Sequence, residues 1–147
     1  MQVAAYAAHS PTDALKPFEI TRRDLQPGDV LIDITHCGVC HSDIHAARNE
    51  WGNARYPIVP GHEIVGRVSA VGGQVTAHKV GDRVGFGCLV DACLKCTACH
   101  DGDEQYCEKG SVGTYGGKEP VIGGPTYGGY SKQIVVRSEF VLKISGK

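Results

Sequence analysis

Two groups of metal-ligating side chains dominate the chain. The first runs from Cys37 to Glu63: Cys37-Gly-Val-Cys-His-Ser-Asp-Ile-His45, a spacer, then Gly61-His62-Glu63. It gathers thiols, imidazoles and carboxylates, the groups that bind a transition metal and move protons around it. The second is Cys93, Cys96, Cys99 and Cys107, spaced C-x2-C-x2-C-x7-C. Two residues between cysteines let a tight turn aim successive sulfurs at one ion. Four thiolates then satisfy tetrahedral zinc with no position left open. A closed site of that kind folds and rigidifies a lobe, here about residues 91–109, and does not bind substrate. Lys95, Lys109 and backbone amides offset the thiolate charge. An iron–sulfur cluster shares the C-x2-C-x2-C opening, but the fourth cysteine lies too far along and no proline follows Cys107. Zinc is the expectation.

In the first group, Cys40 and His62 pair a soft thiolate with an imidazole, a partial zinc ligation that a catalytic site would complete with a third ligand and an exchangeable water. Glu63 is placed to be a transient ligand or a carboxylate behind the ligands. Asp43 could accept a hydrogen bond from a ligand imidazole and set its tautomer. Ser42 offers a hydroxyl beside a metal-bound oxygen. His45, three residues on along the same helical face, could carry a proton to solvent. Two ligands do not make a site, and spacing alone leaves Cys40 and His62 between metal ligands and ordinary side chains. Cys37 and Cys88 read as small core residues. His9, His36, His78 and His100 read as surface or loop residues.

The elements that must position these groups are mostly strands. Residues 2–7, 18–23, 30–36, 64–71, 80–87, 130–136 and 140–144 read as short strands. Within 30–36, Val30, Ile32 and Ile34 alternate with Asp33 and Thr35, the mark of a half-buried strand. Residues 42–50 form the clearest helix, capped by Ser42 or Asp43 and stopped at Trp51-Gly52. Pro57 and Pro60 hold the return to Gly61 extended. Residues 110–129 carry many glycines without a period and read as a long ordered loop. Short strands with turns every 8–12 residues predict a mainly β fold, a barrel or sandwich.

The chain of 147 residues is enough for one domain with its own core. A net charge of −1 argues against nucleic acid or an acidic membrane as partner. No apolar run approaches a membrane span, and the N-terminus lacks a basic region followed by an apolar one, which favours a cytoplasmic protein. Seven cysteines, an odd number with four tightly clustered, point to metal before disulfides.

Gly61-His-Glu-Ile-Val-Gly66, with Gly72 and Val75, resembles the zinc signature of the medium-chain alcohol dehydrogenases. Cys40-His-Ser-Asp-Ile-His45 and the four-cysteine lobe match that family in order and spacing. Cys-Gly-Val-Cys-His-Ser-Asp, Glu50-Trp51 and Gly-Gly-Tyr-Ser131 resemble its cinnamyl alcohol dehydrogenase branch, which includes bacterial aldehyde reductases. The resemblance implies a GroES-like, partly open β-barrel with a few short helices and a zinc lobe. It implies two zinc ions per subunit, one held by Cys40 and His62 with Glu63 as alternate ligand, and one by the four-cysteine lobe. It makes Cys37 the non-ligand cysteine. Ser42 would be the first group of a proton relay beside the nicotinamide ribose, His45 its outer member, and Asp43 a support behind the ligands. His41 would lie near the cofactor pyrophosphate, and Trp51 would line a pocket for aromatic or apolar aldehydes. It further implies reversible oxidation of primary alcohols with NAD(P), NADP preferred, in a homodimer.

Members of that family are about twice this length and carry a Rossmann NAD(P)-binding domain. Here no G-x-G-x-x-G follows a strand; Gly85-Phe-Gly87 lacks the third glycine. The expectation is a catalytic domain alone over residues 1–147, its third catalytic ligand lying beyond them, and inactive by itself. Two other classes compete. One is a non-catalytic interaction module stabilised by zinc. The other is a zinc-knuckle nucleic-acid binder, which the charge disfavours.

Overall fold

The computed structural model describes residues 1–145. Its strands are β1 (Gln2–Ala7), β2 (Lys16–Thr21), β3 (Asp29–Cys37), β4 (Ile64–Val71), β5 (Arg83–Phe86), β6 (Leu89–Asp91), β7 (Val112–Gly113), β8 (Gln133–Arg137) and β9 (Leu142–Lys143). Two short helices interrupt them, α1 (His41–Ala47) and α2 (Thr97–His100). The central antiparallel sheet has the order β8-β3-β4-β5-β9. The β1-β2 hairpin joins it at an Ala5–Ser131 bridge, and β6-β7 form a separate pair. The sheets stay open at their edges, the partly open arrangement the family resemblance implies.

Alternation drives the folding of these strands. In β1 buried and exposed residues alternate without a break, so Val3, Ala5 and Ala7 face inward with Ile20 and Val59. The main core lies between the sheet's strands: Val30 and Ile32 from β3, Ile64 and Val68 from β4, Val84 and Phe86 from β5, Ile134 and Val136 from β8. Each such side chain contributes about 1.5–3 kcal/mol when taken out of water.

Several sequence expectations shift, each for a local reason. The second strand spans Lys16–Thr21 rather than 18–23, because Arg22 and Arg23 turn their guanidinium groups inward. The helix ends at Ala47, where Asn49 adopts φ 57° and breaks its path. Its N-cap is Cys40, not Ser42 or Asp43. The short strand expected within 80–87 after the Gly81-Asp82 turn forms at Arg83–Phe86, with Gly81 at φ 92°. β8 begins at Gln133, after a crossing in which Tyr6 N–H donates to the Tyr130 carbonyl, Lys132 N–H to the Ala4 carbonyl of β1, and Ile34 N–H of β3 to the Lys132 carbonyl. The closing strand shrinks to Leu142–Lys143. Within the long loop, β7 pairs with β6. Cys88 is exposed and is not a core residue; it stands at the rim of a small cavity described below. His78 is buried, its Nε2 3.3 Å from the Ser138 carbonyl oxygen.

Arg23 ties the central sheet to the base of the cysteine lobe. It is 2% exposed and makes a two-pronged pair with Asp29, both contacts at 2.9 Å. Its remaining nitrogen reaches Glu119 at 3.1 Å and Asp91, at the end of β6, at 3.6 Å. Removing one partner of a buried pair strands the other charges without water. Arg23→Ala is expected to lower unfolding free energy in chemical denaturation by about 3–5 kcal/mol. Lys16→Ala, which breaks only the exposed contact to Asp13 at 3.8 Å, should cost less than about 0.5 kcal/mol.

Candidate metal centres

Strand pairing brings the first group together. β3 and β4 are antiparallel, with Cys37 opposite Ile64. The end of β3 and the start of β4 are therefore neighbours, and Gly38 N–H donates to the Glu63 carbonyl at 2.8 Å. Cys40 follows β3 and His62 precedes β4, so residues 22 apart in sequence meet at one edge. Glycine is needed just before His62: Gly61 has φ 100°, and a Cβ there would stand 2.9 Å from the Tyr130 backbone nitrogen. One ligand atom each from Cys40, His62 and Glu63 lies within 4.8 Å of the others.

Asp43 joins the two ligand-bearing segments. It is 3% exposed. Its Oδ2 accepts the Cys40 N–H at 2.9 Å, and its Oδ1 accepts the Gly61 N–H at 2.9 Å. Oδ1 also lies 3.4 Å from His62 Nδ1. Tyr130 Oη donates to Oδ2 at 3.1 Å. Tyr115 Oη stands 3.3 Å from His62 Nδ1, its ring tilted 30° to the imidazole. With Nδ1 so engaged, Nε2 is the nitrogen left for a metal. Burial first, and then the Asp43 carboxylate, push the Tyr115 and Tyr130 phenols up, so both remain protonated donors at neutral pH.

Ser42 Oγ is 3.0 Å from Cys40 Sγ. Ser42 and His62 line a cavity of about 180 Å³ with Cys88, Thr114 and Tyr115. Thr114 and Tyr115 lie on the long loop, where no metal-type spacing marks them, and Cys88, read from the sequence as a core residue, lies between β5 and β6. Cys37 is half-buried, desolvation pushes its thiol up to about 11, and its sulfur is not among the ligand atoms that Cys40, His62 and Glu63 bring together.

His41, His45 and Trp51 gather on the outer side of α1. The His41 and His45 rings stack at 4.7 Å and 4°. His45 Nδ1 contacts the Glu50 carboxylate, and its ring is 5.3 Å from Trp51. Trp51 is 56% exposed and lies outside the group that lines the small cavity. Among the described residues no hydrogen bond joins Ser42 to His45.

The second group is built almost locally. β6 leads into the lobe and β7 leads out, and their pairing closes its base. α2 starts from Cys96 as N-cap and carries Cys99 in its single turn. Cys96 and Cys99 sulfurs are 3.4 Å apart, Cys93 and Cys99 sulfurs 3.9 Å, and all four lie within 4.8 Å of one another. Sulfurs about 2.3 Å from a central tetrahedral ion would stand about 3.8 Å apart. The four positions therefore fit zinc. No disulfide competes, since all seven cysteines are free. Backbone N–H groups of Cys93 and Glu108 point at the sulfurs of Cys107 and Cys96, each at 3.5 Å. Desolvation and neighbouring sulfurs push the Cys99 thiol up to about 12, while backbone donors, first that of Cys93, hold Cys107 below the usual thiol range. A divalent cation held by these four cysteines would favour all four thiolates.

Residues 26–146 match the alcohol dehydrogenase GroES-like domain family. NADP-dependent alcohol dehydrogenase C of Mycobacterium bovis is 56% identical over 144 residues, covering 97% of this chain and 41% of the relative. Aldehyde reductase YahK of Escherichia coli is 53% identical, covering 98% of this chain and 41% of the relative. A cinnamyl alcohol dehydrogenase structure from Sorghum bicolor superposes with TM-score 0.94 at 42% identity, over 99% of this chain and 41% of that one. One from Helicobacter pylori in complex with NADP(H) gives 0.93, also at 42% identity, over 99% of this chain and 42% of that one. The chain spans about two-fifths of the length of the relatives it matches. With the family match, the sequence identity and the superposition in agreement, this chain belongs to the alcohol dehydrogenase GroES-like domain family.

Proposed function

We propose that these residues form the metal-bearing catalytic domain of a zinc-dependent alcohol dehydrogenase or aldehyde reductase that uses NADP. The convergence of Cys40, His62 and Glu63 beside Ser42 carries this reading. Identity above 50% to an NADP-dependent alcohol dehydrogenase and an aldehyde reductase supports the substrate class and the cofactor. Cys40, His62 and Glu63 would hold the catalytic zinc, and Cys93, Cys96, Cys99 and Cys107 a structural one. Bound there, zinc supplies Lewis-acid polarisation of a carbonyl or alcohol oxygen, and the nicotinamide carries the hydride.

The remaining roles fall to this chain's own side chains. Ser42 Oγ gives a proton to, or takes one from, the substrate oxygen at the rim of the cavity. His45, next to Glu50, exchanges that proton with solvent. Since nothing bonds the two directly, the relay needs a hydroxyl or water between them. His41 on the outer face of α1 is a cofactor contact. Trp51 offers a flat apolar surface to aromatic substrates. Tyr115, Thr114 and Cys88 narrow the cavity at His62. A full-length homodimer and a Rossmann domain outside these residues complete the proposed enzyme.

Elemental analysis is expected to find about two zinc ions per chain. Cys40→Ser should reduce this to about one with little change in thermal stability. Cys93→Ser should also reduce it to about one but unfold the lobe, read as a lowered Tm. One zinc in the unaltered chain, unaffected by Cys40→Ser, would favour a domain stabilised by zinc without a catalytic metal. In a chain of the relatives' full length, Ser42→Ala should lower kcat for NADPH-dependent reduction of an aromatic aldehyde by about 10²- to 10⁴-fold. Its zinc content should not change. Equal rates in the two proteins would remove Ser42 from the proton path.

A further inference from the structure

The turn Tyr127-Gly-Gly-Tyr-Ser131 sits far from either ligand in sequence, yet it is bonded along the segment that delivers His62. Gly128 N–H donates to the Val59 carbonyl at 2.7 Å, Gly129 N–H to the Gly61 carbonyl at 2.8 Å, and Tyr130 N–H to the Pro60 carbonyl at 3.0 Å. The two strips are too close for side chains. A Cβ on Gly128 would stand 2.3 Å from the Pro60 carbonyl oxygen, and one on Gly129 would meet Ile64 and Cys37 Sγ. From this strip Tyr130 extends its hydroxyl to Asp43 Oδ2 at 3.1 Å, with the Gly38 carbonyl oxygen a further 3.4 Å acceptor.

On the other side the strip is held by Arg22. Among the described residues this buried guanidinium has no hydrogen bond to a carboxylate. It donates instead to the carbonyls of Tyr127, Gly128 and Gln133 and to Ser131 Oγ, the last at 2.9 Å. All four acceptors belong to residues 127–133. A buried arginine spent on one short segment fixes the place of that segment against the sheet.

We propose that Tyr130 is a positioning residue for the Cys40–His62 metal site, with Arg22 anchoring the segment that carries it. The proposal rests on the metal reading given above. Asp43 accepts from the Cys40 and Gly61 backbones with one oxygen each and faces His62 Nδ1. The Tyr130 hydroxyl fills the remaining place on Oδ2 and so sets the rotation of the carboxylate. A carboxylate free to rotate would release the Cys40 and Gly61 amides together and loosen both ligands at once. The phenyl ring of Tyr130 belongs to the core; the oxygen is the part that acts on the site.

Cobalt(II) is the probe. Added to the metal-free chain, it reports a four-thiolate site and a single-thiolate site through charge-transfer bands of different intensity. Tyr130→Phe removes only the oxygen. It is expected to weaken cobalt at the single-thiolate site about tenfold, the lower end for groups behind a metal ligand, and to shift that site's visible bands. The four-thiolate site should be unchanged. Unaltered affinity and bands at the single-thiolate site overturn the proposal. Equal weakening of both sites also overturns it, since the hydroxyl would then hold the fold and not the site. Cys40→Ser serves as the reference. If it leaves every cobalt band in place, the metal reading fails, and the proposal falls with it.

Discussion

A single buried carboxylate organises this domain. Asp43 is nearly inaccessible to water, and a polar group in such a place is tolerated only if its oxygens are engaged by donors. Its donors come from three parts of the chain: Cys40 at the start of α1, Gly61 before β4, and Tyr130 before β8. The need to satisfy one side chain thus draws three otherwise separate segments to a point. Two of those segments carry the metal-type ligands. The third contributes no ligand, and its glycines pack against the backbone of the second.

Arg22 and Arg23 extend the same logic outward. They are adjacent, and both are buried, but they solve the problem of a buried charge differently. Arg23 is neutralised by carboxylates of Asp29, Asp91 and Glu119. Arg22 is surrounded by carbonyl oxygens. Burial pulls the Arg22 guanidinium down to about 9, still protonated at neutral pH. Neither residue is gained cheaply, because replacing buried polar networks by apolar groups is often neutral or stabilising. What they supply is placement. Arg23 fixes the base of the cysteine lobe to β3's first residue, and Arg22 fixes the Gly-Gly-Tyr strip to the sheet. Both leave β2 to do so, which is why that strand ends earlier than its residue pattern suggests.

The two metal-type centres differ in how the fold makes them. The four-cysteine lobe is nearly self-contained; a one-turn helix, a tight turn and a two-strand base bring its sulfurs within reach of one another. The Cys40–His62 edge exists because β3 and β4 pair in the right register, with glycine at position 61 where the chain turns into His62. A closed, local site suits a structural ion. An edge assembled from strand ends, with a cavity beside it, suits an ion that must meet a substrate.

Much of this was legible in the residues themselves. Period-two alternation marked β3, and the C-x2-C-x2-C spacing marked the lobe, because both signals depend on neighbours within a few residues. The ligand triad was legible as residue types, and the family resemblance rested on those same motifs. Other features were decided by tertiary structure. Cys88 looked like a core thiol but is exposed, and His78, read as a surface or loop residue, lies in a loop that the fold buries. Thr114 and Tyr115 carry no spacing signal, and they reach His62 only through the path of the long loop. Tyr130 was visible as part of a motif without a role, since its partner lies 87 residues earlier. Sequence determined which atoms could bind metal and which strands would form. The fold alone decided which of them meet, because contacts between distant segments are set by sheet register and by the buried charges that must be satisfied.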